Sequence, residues 1–221
     1  MNEQIIGLIW QGIAETFYMV TVSTVFAYLI GIPLGVILNI TGTNGIRPAR
    51  ALNLAVGFII KVIRSVPFLI LLVAILPFTR LIAGTTIGST ATIVPLVVAA
   101  APFVARMVES SLKEVDAGVI EAAKAMGSSD WQIIWKVLLA EARPSLAVGG
   151  VIAFTTILGY SAMAGFVGGG GLGAIAVNYG YYRYKTDVML VTVAVLVIIV
   201  QVFQEAGIYI VNRLDKRINK S

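Results

Sequence analysis

Long stretches without charge alternate with short polar ones along this chain. Thr16–Ile46 runs 31 positions with no Asp, Glu, Lys or Arg, and Leu81–Ala105 and Pro144–Tyr182 are equally charge-free. A helix needs about 20 apolar residues to cross a bilayer. These runs therefore predict membrane helices near 14–40, 90–110 and 145–166, with another near 187–212. Gly31-x-x-x-Gly35 fits small-residue helix packing, and a local bend beside Pro33 fits equally. A further crossing is predicted near 60–80, where Lys61 and Arg64 interrupt the apolar pattern. At the bilayer centre each cation would cost about 2.5–3.5 kcal/mol. They are therefore placed at an interface: 51–63 is read as a surface helix, its cationic end snorkels, and Pro67 kinks the start of the crossing.

The one long polar stretch, 106–144, has helical order of its own. Val119, Ile120, Ala123 and Met126 recur at helical spacing, and Gly127 fits the position after a helix where positive φ is needed. Ser129-x-x-Gln132 is a capping-box pattern opening a second helix, in which Trp131, Ile134, Trp135 and Leu138 make an apolar stripe. The prediction is a hairpin of two short amphipathic helices. Each stripe packs either under the chain's own spans or on a cytoplasmic partner, and the pattern admits both. Arg106 and Glu109 are spaced as an i, i+3 ion pair.

Composition and charge sharpen this picture. Of the 221 residues 58% are hydrophobic and 12% charged, about half the usual charged share. No soluble fold of this size buries so much apolar surface, and a disordered chain would not contain it. With no Cys and no His, disulfide frameworks, thiolate chemistry and His-based triads are excluded. The net charge of +5 is better explained by cytoplasmic loops than by nucleic acid. With five spans and the N-terminus outside, 13 of 16 Lys and Arg fall on the inner side, and only Arg80, Arg183 and Lys185 fall outside. The expected fold is thus all-α and integral to the membrane. It has five transmembrane helices, N-out and C-in, and a cytoplasmic hairpin (about 111–144) between the third and fourth, in one domain over 1–221. No Lys or Arg precedes Arg47, so the positive region of a cleavable signal is missing and the first span is expected to stay.

Glu121-Ala122-Ala123-x-x-x-Gly127, followed after nine residues by Val137-x-Leu139, resembles the EAA loop of ABC importer permeases. The family pattern closes on Leu-Pro. Ala140 stands where the proline is usual, a departure confined to the end of the second helix. The stretches RSVPFLILLVAILPFTR (64–80), APFVARMVESSLKEVDAGVIEAAKAMGSS (101–129) and GYSAMAGFVGGGGLG (159–173) resemble the methionine-importer branch of that family, and the likeness covers nearly the whole chain. The resemblance implies a homodimeric permease in a bacterial inner (plasma) membrane, surrounded by lipid and served by two cytoplasmic ATPase subunits. It also implies an extracytoplasmic substrate-binding lipoprotein and methionine as substrate. ATP and Mg would be bound by the partner ATPase, with no cofactor and no catalysis in this chain. The motif helix would then be the coupling helix. Matched residue by residue, Glu121, Ala122, Ala123 and Gly127 carry the contact, with Met126 and Ser128 beside them. Without the motif, Glu121 alone would read as a solvated surface charge.

Other signals point away from chemistry. No Walker-type phosphate loop occurs. Gly168-x-Gly170-x-x-Gly173 matches a dinucleotide fingerprint in letters alone: it follows a membrane span and lacks an acidic residue about 20 positions on. It is read as a flexible or close-packed extracytoplasmic loop. Glu15 and Glu205 are expected near helix ends, so no carboxylate stands at midplane as a coupling-ion site would require. Thr155, Thr156, Tyr160, Ser161 and Met163 are the candidate pathway lining, although Ser and Thr also bond between helices. The competing functions are a permease for another amino acid or osmolyte, an ion-coupled secondary transporter, and a membrane scaffold that docks a cytoplasmic partner.

Overall fold

The structure, a computed structural model, describes residues 3–214, and among these every regular element is helical. Lys216, Arg217 and Lys220, placed on the inner side above, lie outside the described residues.

The first helix, α1 (Glu3–Thr41), is 39 residues long. At 1.5 Å per residue it spans about 58 Å, and it starts well before the expected position 14. Glu15 consequently sits inside a helix and not near its end. Pro33 does not break it. The reason lies across the interface, on α5 (Ser89–Lys113). A Cβ at Gly31 would stand 2.6 Å from Val104 Cγ1, and one at Gly35 would stand 2.6 Å from the Ala105 carbonyl and from Val108 Cβ. The glycine pair is therefore a seam where two backbones approach. Met19, Val20, Ala27, Leu96, Val104 and Val108 pack along this seam as the centre of the core.

The second predicted crossing is not a straight helix over 60–80. α2 (Arg50–Ser65) runs unbroken through Lys61 and Arg64, and the chain then turns by 103° into α3 (Phe68–Ala74). Pro67 supplies no N–H and holds Val66 extended (φ −84°, ψ 125°), so the helix must stop there. Ile75 interrupts the path again before α4 (Leu76–Ala83), which ends on Gly84 with φ +73°.

The hairpin helices are α6 (Ala117–Ala125) and α7 (130–141), the latter with a π-helical stretch at Ile133–Leu138. α8 (Arg143–Met163) follows, then a tight turn at Ala164–Val167, and then α9 (171–181). The segment after the fourth predicted span therefore re-enters helix directly after Gly170. α10 (Thr186–Leu214) is the least covered long helix. By length and composition four helical stretches suffice to cross a membrane, or five if bent α2–α3 is one broken crossing.

Candidate functional site

The hairpin is built by local signals that all close as hydrogen bonds. Asp116 caps α6, its Oδ1 accepting from Gly118 N–H at 2.7 Å. At the other end Gly127 adopts φ +77°. Its N–H donates to the Lys124 carbonyl (2.9 Å) and Ser128 N–H to the Ala123 carbonyl (3.1 Å), the paired bonds of a Schellman stop. Two residues on, Ser129 N–H donates to Gln132 Oε1 (2.9 Å) while Ser129 Oγ accepts from Gln132 N–H (3.4 Å), a closed capping box. The direction of both helices is thus set within a six-residue turn.

The apolar stripe divides between two sides. Ala123, Ile133, Ile134 and Leu138 are buried in the main core. Val119, Met126, Trp131 and Trp135 are exposed, Met126 at 79% and Trp131 at 69%. Among the motif residues Glu121, Ala122 and Gly127 are exposed and Ser128 half-buried. Ala123 is a correction: at 3% exposure it packs inward and is not on the outer face with its neighbours. The reason is helical phase, since Ala123 lies on the side of α6 that faces α7. The two tryptophans, 5.5 Å apart edge to face, were expected only as part of a stripe to be buried. Their presence on a short amphipathic helix in the one long polar stretch was the available signal for the outer face.

Charge anchors the hairpin to the spans. Arg47, in the loop between α1 and α2, forms an ion pair with Asp130 at the start of α7. Glu109 is 7% exposed and accepts from Arg106 and from Lys113, each at 2.7 Å. Arg106 also donates to the Gly57 carbonyl (3.3 Å), which ties α2 to the same cluster. Ser145 Oγ donates to Ser111 Oγ (2.9 Å), joining α8 to α5.

The five pathway candidates do not converge on one cavity. Thr155, Thr156 and Ser161 donate their hydroxyls to carbonyls of their own helix, which satisfies them without a substrate. Ser161 is also buried. Met163 is exposed at 45%. Tyr160 stacks on Phe68, ring centroids 4.6 Å apart and planes within 6°. It lines a cavity of about 240 Å³ with Arg64, Leu71, Ala99 and Phe103.

The glycine run after α8 is close-packed. Gly171 N–H donates to Glu15 Oε2 (2.8 Å) and Leu172 N–H to Thr16 Oγ1 (2.9 Å). A Cβ on Gly173 would stand 2.6 Å from Ala162 Cα, and one on Gly165 2.5 Å from the Gly173 carbonyl. Nothing here leaves room for a nucleotide.

Comparison with known proteins extends this geometry. The family model described as "Binding-protein-dependent transport system inner membrane component" matches residues 31–220. The chain is 50% identical over 203 residues to the "Probable D-methionine transport system permease protein MetI" of Vibrio cholerae, covering 92% of this chain and 90% of that protein. It is 48% identical over 165 residues to the "D-methionine transport system permease protein MetI" of Escherichia coli strain K12, covering 75% and 76%. A chain of the MetNI methionine ABC transporter, solved in inward-facing conformations, superposes with a TM-score of 0.95 at 47% identity, covering 98% of this chain and all of that one.

Proposed function

The chain belongs to the family of binding-protein-dependent transport system inner membrane components, and from that premise we propose that it is the membrane permease of a methionine ABC importer. It forms the pathway, and a separate ATPase subunit, which holds ATP and Mg, supplies the work. The observation that carries this reading is the cytoplasmic hairpin. Its inner face is locked to the spans by the core and by Arg47–Asp130. Its outer face offers Glu121, Ala122, Met126 and Gly127 with two exposed tryptophans. An exposed apolar surface on a rigid polar-segment hairpin is what a docking element requires. Likeness at 47–50% identity to methionine permeases supports the substrate.

In this reading two copies pair around the pathway, each with five crossings, N-out and C-in, within one domain over 1–221. Each hairpin seats on one of two ATPase subunits through Glu121, Ala122, Met126, Gly127 and Ser128, with Ala123 holding α6 to α7 from within. Closure of the ATPases moves the hairpins and, through the Glu109 cluster, α2 and α5. An extracytoplasmic binding lipoprotein delivers methionine from the outer side. Tyr160 and Met163 remain pathway residues. The role of the Thr155, Thr156 and Ser161 hydroxyls is to satisfy helix carbonyls.

Reconstitution of the chain with its ATPase and binding protein in vesicles tests the reading. ATP-dependent methionine accumulation is expected. Accumulation without the ATPase would overturn the ABC mechanism. Preference for a different solute would overturn only the substrate.

A further inference from the structure

Arg64 lies in the last turn of α2 beside the 103° turn, and among the described residues no carboxylate pairs with it. The ion pairs among the described residues are Arg47–Asp130, Arg106–Glu109 and Lys113–Glu109. The Arg64 guanidinium instead lies 5.9 Å over the Phe103 ring. Its position relative to α5 follows from two contacts. Arg106 meets Gly57 of α2, and Arg64, two turns further along α2, meets Phe103, one turn further from the cytoplasmic end of α5. Phe103 is ten residues from Lys113, about 15 Å along the helix. Arg64 is exposed and lines a cavity, so its guanidinium is open to an anion or to water.

What surrounds Arg64 defines the ligand. The cavity of about 240 Å³ is walled by Phe68, Phe103 and Tyr160, with Leu71 and Ala99 filling between them, and no acidic side chain lines it. Phe68 and Tyr160 are stacked face to face, a rigid aromatic pair that borders the cavity. The site combines one cation, an aromatic wall and an aliphatic floor. Broken helices that line a cavity are a recurring way to build transport sites.

We propose that this cavity is a substrate subsite for a free α-amino acid with an apolar, polarizable side chain: Arg64 holds the carboxylate, and the Phe68–Tyr160 wall with Phe103 holds the thioether. The inference rests on the reading of the chain as a methionine permease and adds to it the residues that touch the substrate. Arginine suits a carboxylate through its paired N–H groups, and sulfur packs well against aromatic rings. Apart from Arg64 and the Tyr160 hydroxyl, a side chain bearing a second charge would meet only hydrocarbon there.

The test uses the full importer in proteoliposomes, with the same ATPase and binding protein throughout. In the wild-type protein a diazirine analogue of methionine is photolysed during turnover, and the expected label lies on residues 63–71, Phe103 or Tyr160. Arg64→Gln is expected to cut methionine accumulated per ATP hydrolysed by at least about tenfold while ATP hydrolysis continues, and Arg64→Lys to restore part of it. Phe68→Leu is expected to bring the methionine-to-norleucine uptake ratio toward one. A merely structural Arg64 would lower transport and hydrolysis together. Label confined elsewhere, or an unchanged accumulation ratio in Arg64→Gln, would overturn the subsite. Absence of methionine accumulation by the wild type would overturn the underlying reading instead. Labelling of the wild type does not depend on whether a variant folds.

Discussion

Glu15 and Gly171 are separated by 156 positions, yet the Glu15 carboxylate accepts the Gly171 N–H at 2.8 Å. The next residue on each side repeats the contact, Thr16 Oγ1 accepting from Leu172 N–H at 2.9 Å. Two consecutive side chains of α1 thereby satisfy the first two backbone donors of α9, groups that a helix cannot satisfy itself. Gly171 has φ +78°, and a Cβ there would stand 2.5 Å from Thr16 Oγ1. The contact thus needs a glycine both for conformation and for space.

Thr16→Val is expected to lower the stability of the detergent-solubilised protein by about 1–3 kcal/mol, since it strands a buried N–H. Thr16→Ser, which keeps the hydroxyl, should cost much less. Thermal unfolding followed by size-exclusion chromatography gives the comparison. Equal melting temperatures for the two variants would refute the role of the hydroxyl.

Gly35→Val should cost about 1–3 kcal/mol or prevent folding, because its side chain would enter Val108 and the Ala105 carbonyl. Gly7→Ala is the contrast: nothing lies within 4 Å of its added Cβ. It should be neutral or slightly stabilising, as alanine is the better helix former. The same unfolding measurement on both variants distinguishes a seam from a generic glycine effect.

Glu109→Gln leaves Arg106 and Lys113 without their shared carboxylate. Because Glu109 is 7% exposed while Arg106 and Lys113 side chains are 35% and 63% exposed, the loss is held to about 1–3 kcal/mol. The substitution should also loosen α2, whose Gly57 carbonyl bonds Arg106. Hydrogen exchange over 50–65 would rise in the variant. Unchanged exchange would show that the cluster does not restrain α2.

Trp131→Ala should leave the melting temperature within about 0.5 kcal/mol equivalent, since its side chain is exposed and supports only Trp135. On the proposed function it should weaken ATPase binding by about 2 kcal/mol, the scale of an aromatic interface anchor. Ala123→Leu is the opposite case, destabilising the chain itself because that position is buried at 3%. Titration with the purified ATPase separates the two effects.

The legible parts of this molecule were those written in neighbouring residues. Gly127, Ser129 and Gln132 specified the hairpin turn because a positive φ and a capping box act within a few positions. The ion pair of Arg106 with Glu109 followed from helical spacing. The start of α1 was misplaced because Glu15 looked like the limit of a span, whereas helix formation does not stop where hydrocarbon does. In the crossing near 60–80 the kink at Pro67 was expected, but its size was not, for a related reason. Apolar runs report burial in lipid, but Val66–Pro67 determines whether the backbone continues, and it turns by 103°. Among the pathway candidates, polarity did not report where the hydroxyls go: Thr155, Thr156 and Ser161 donate them to their own helix.

By itself the sequence determined a helical membrane protein with one polar hairpin. Charge scarcity excludes water as the main solvent, and capping signals act locally. Which face of that hairpin is free was decided only when α6 and α7 packed, turning Ala123, Ile134 and Leu138 inward and leaving Trp131 and Met126 outside. The Gly31–Gly35 seam, the Glu15–Gly171 contact and the meeting of Arg64 with Phe103, Phe68 and Tyr160 belong to the same class. They join residues far apart in sequence, so no periodicity along the chain encodes them. They exist because all the helices must share one packed interior, and that condition selects which small residues touch and which charge is left facing a cavity.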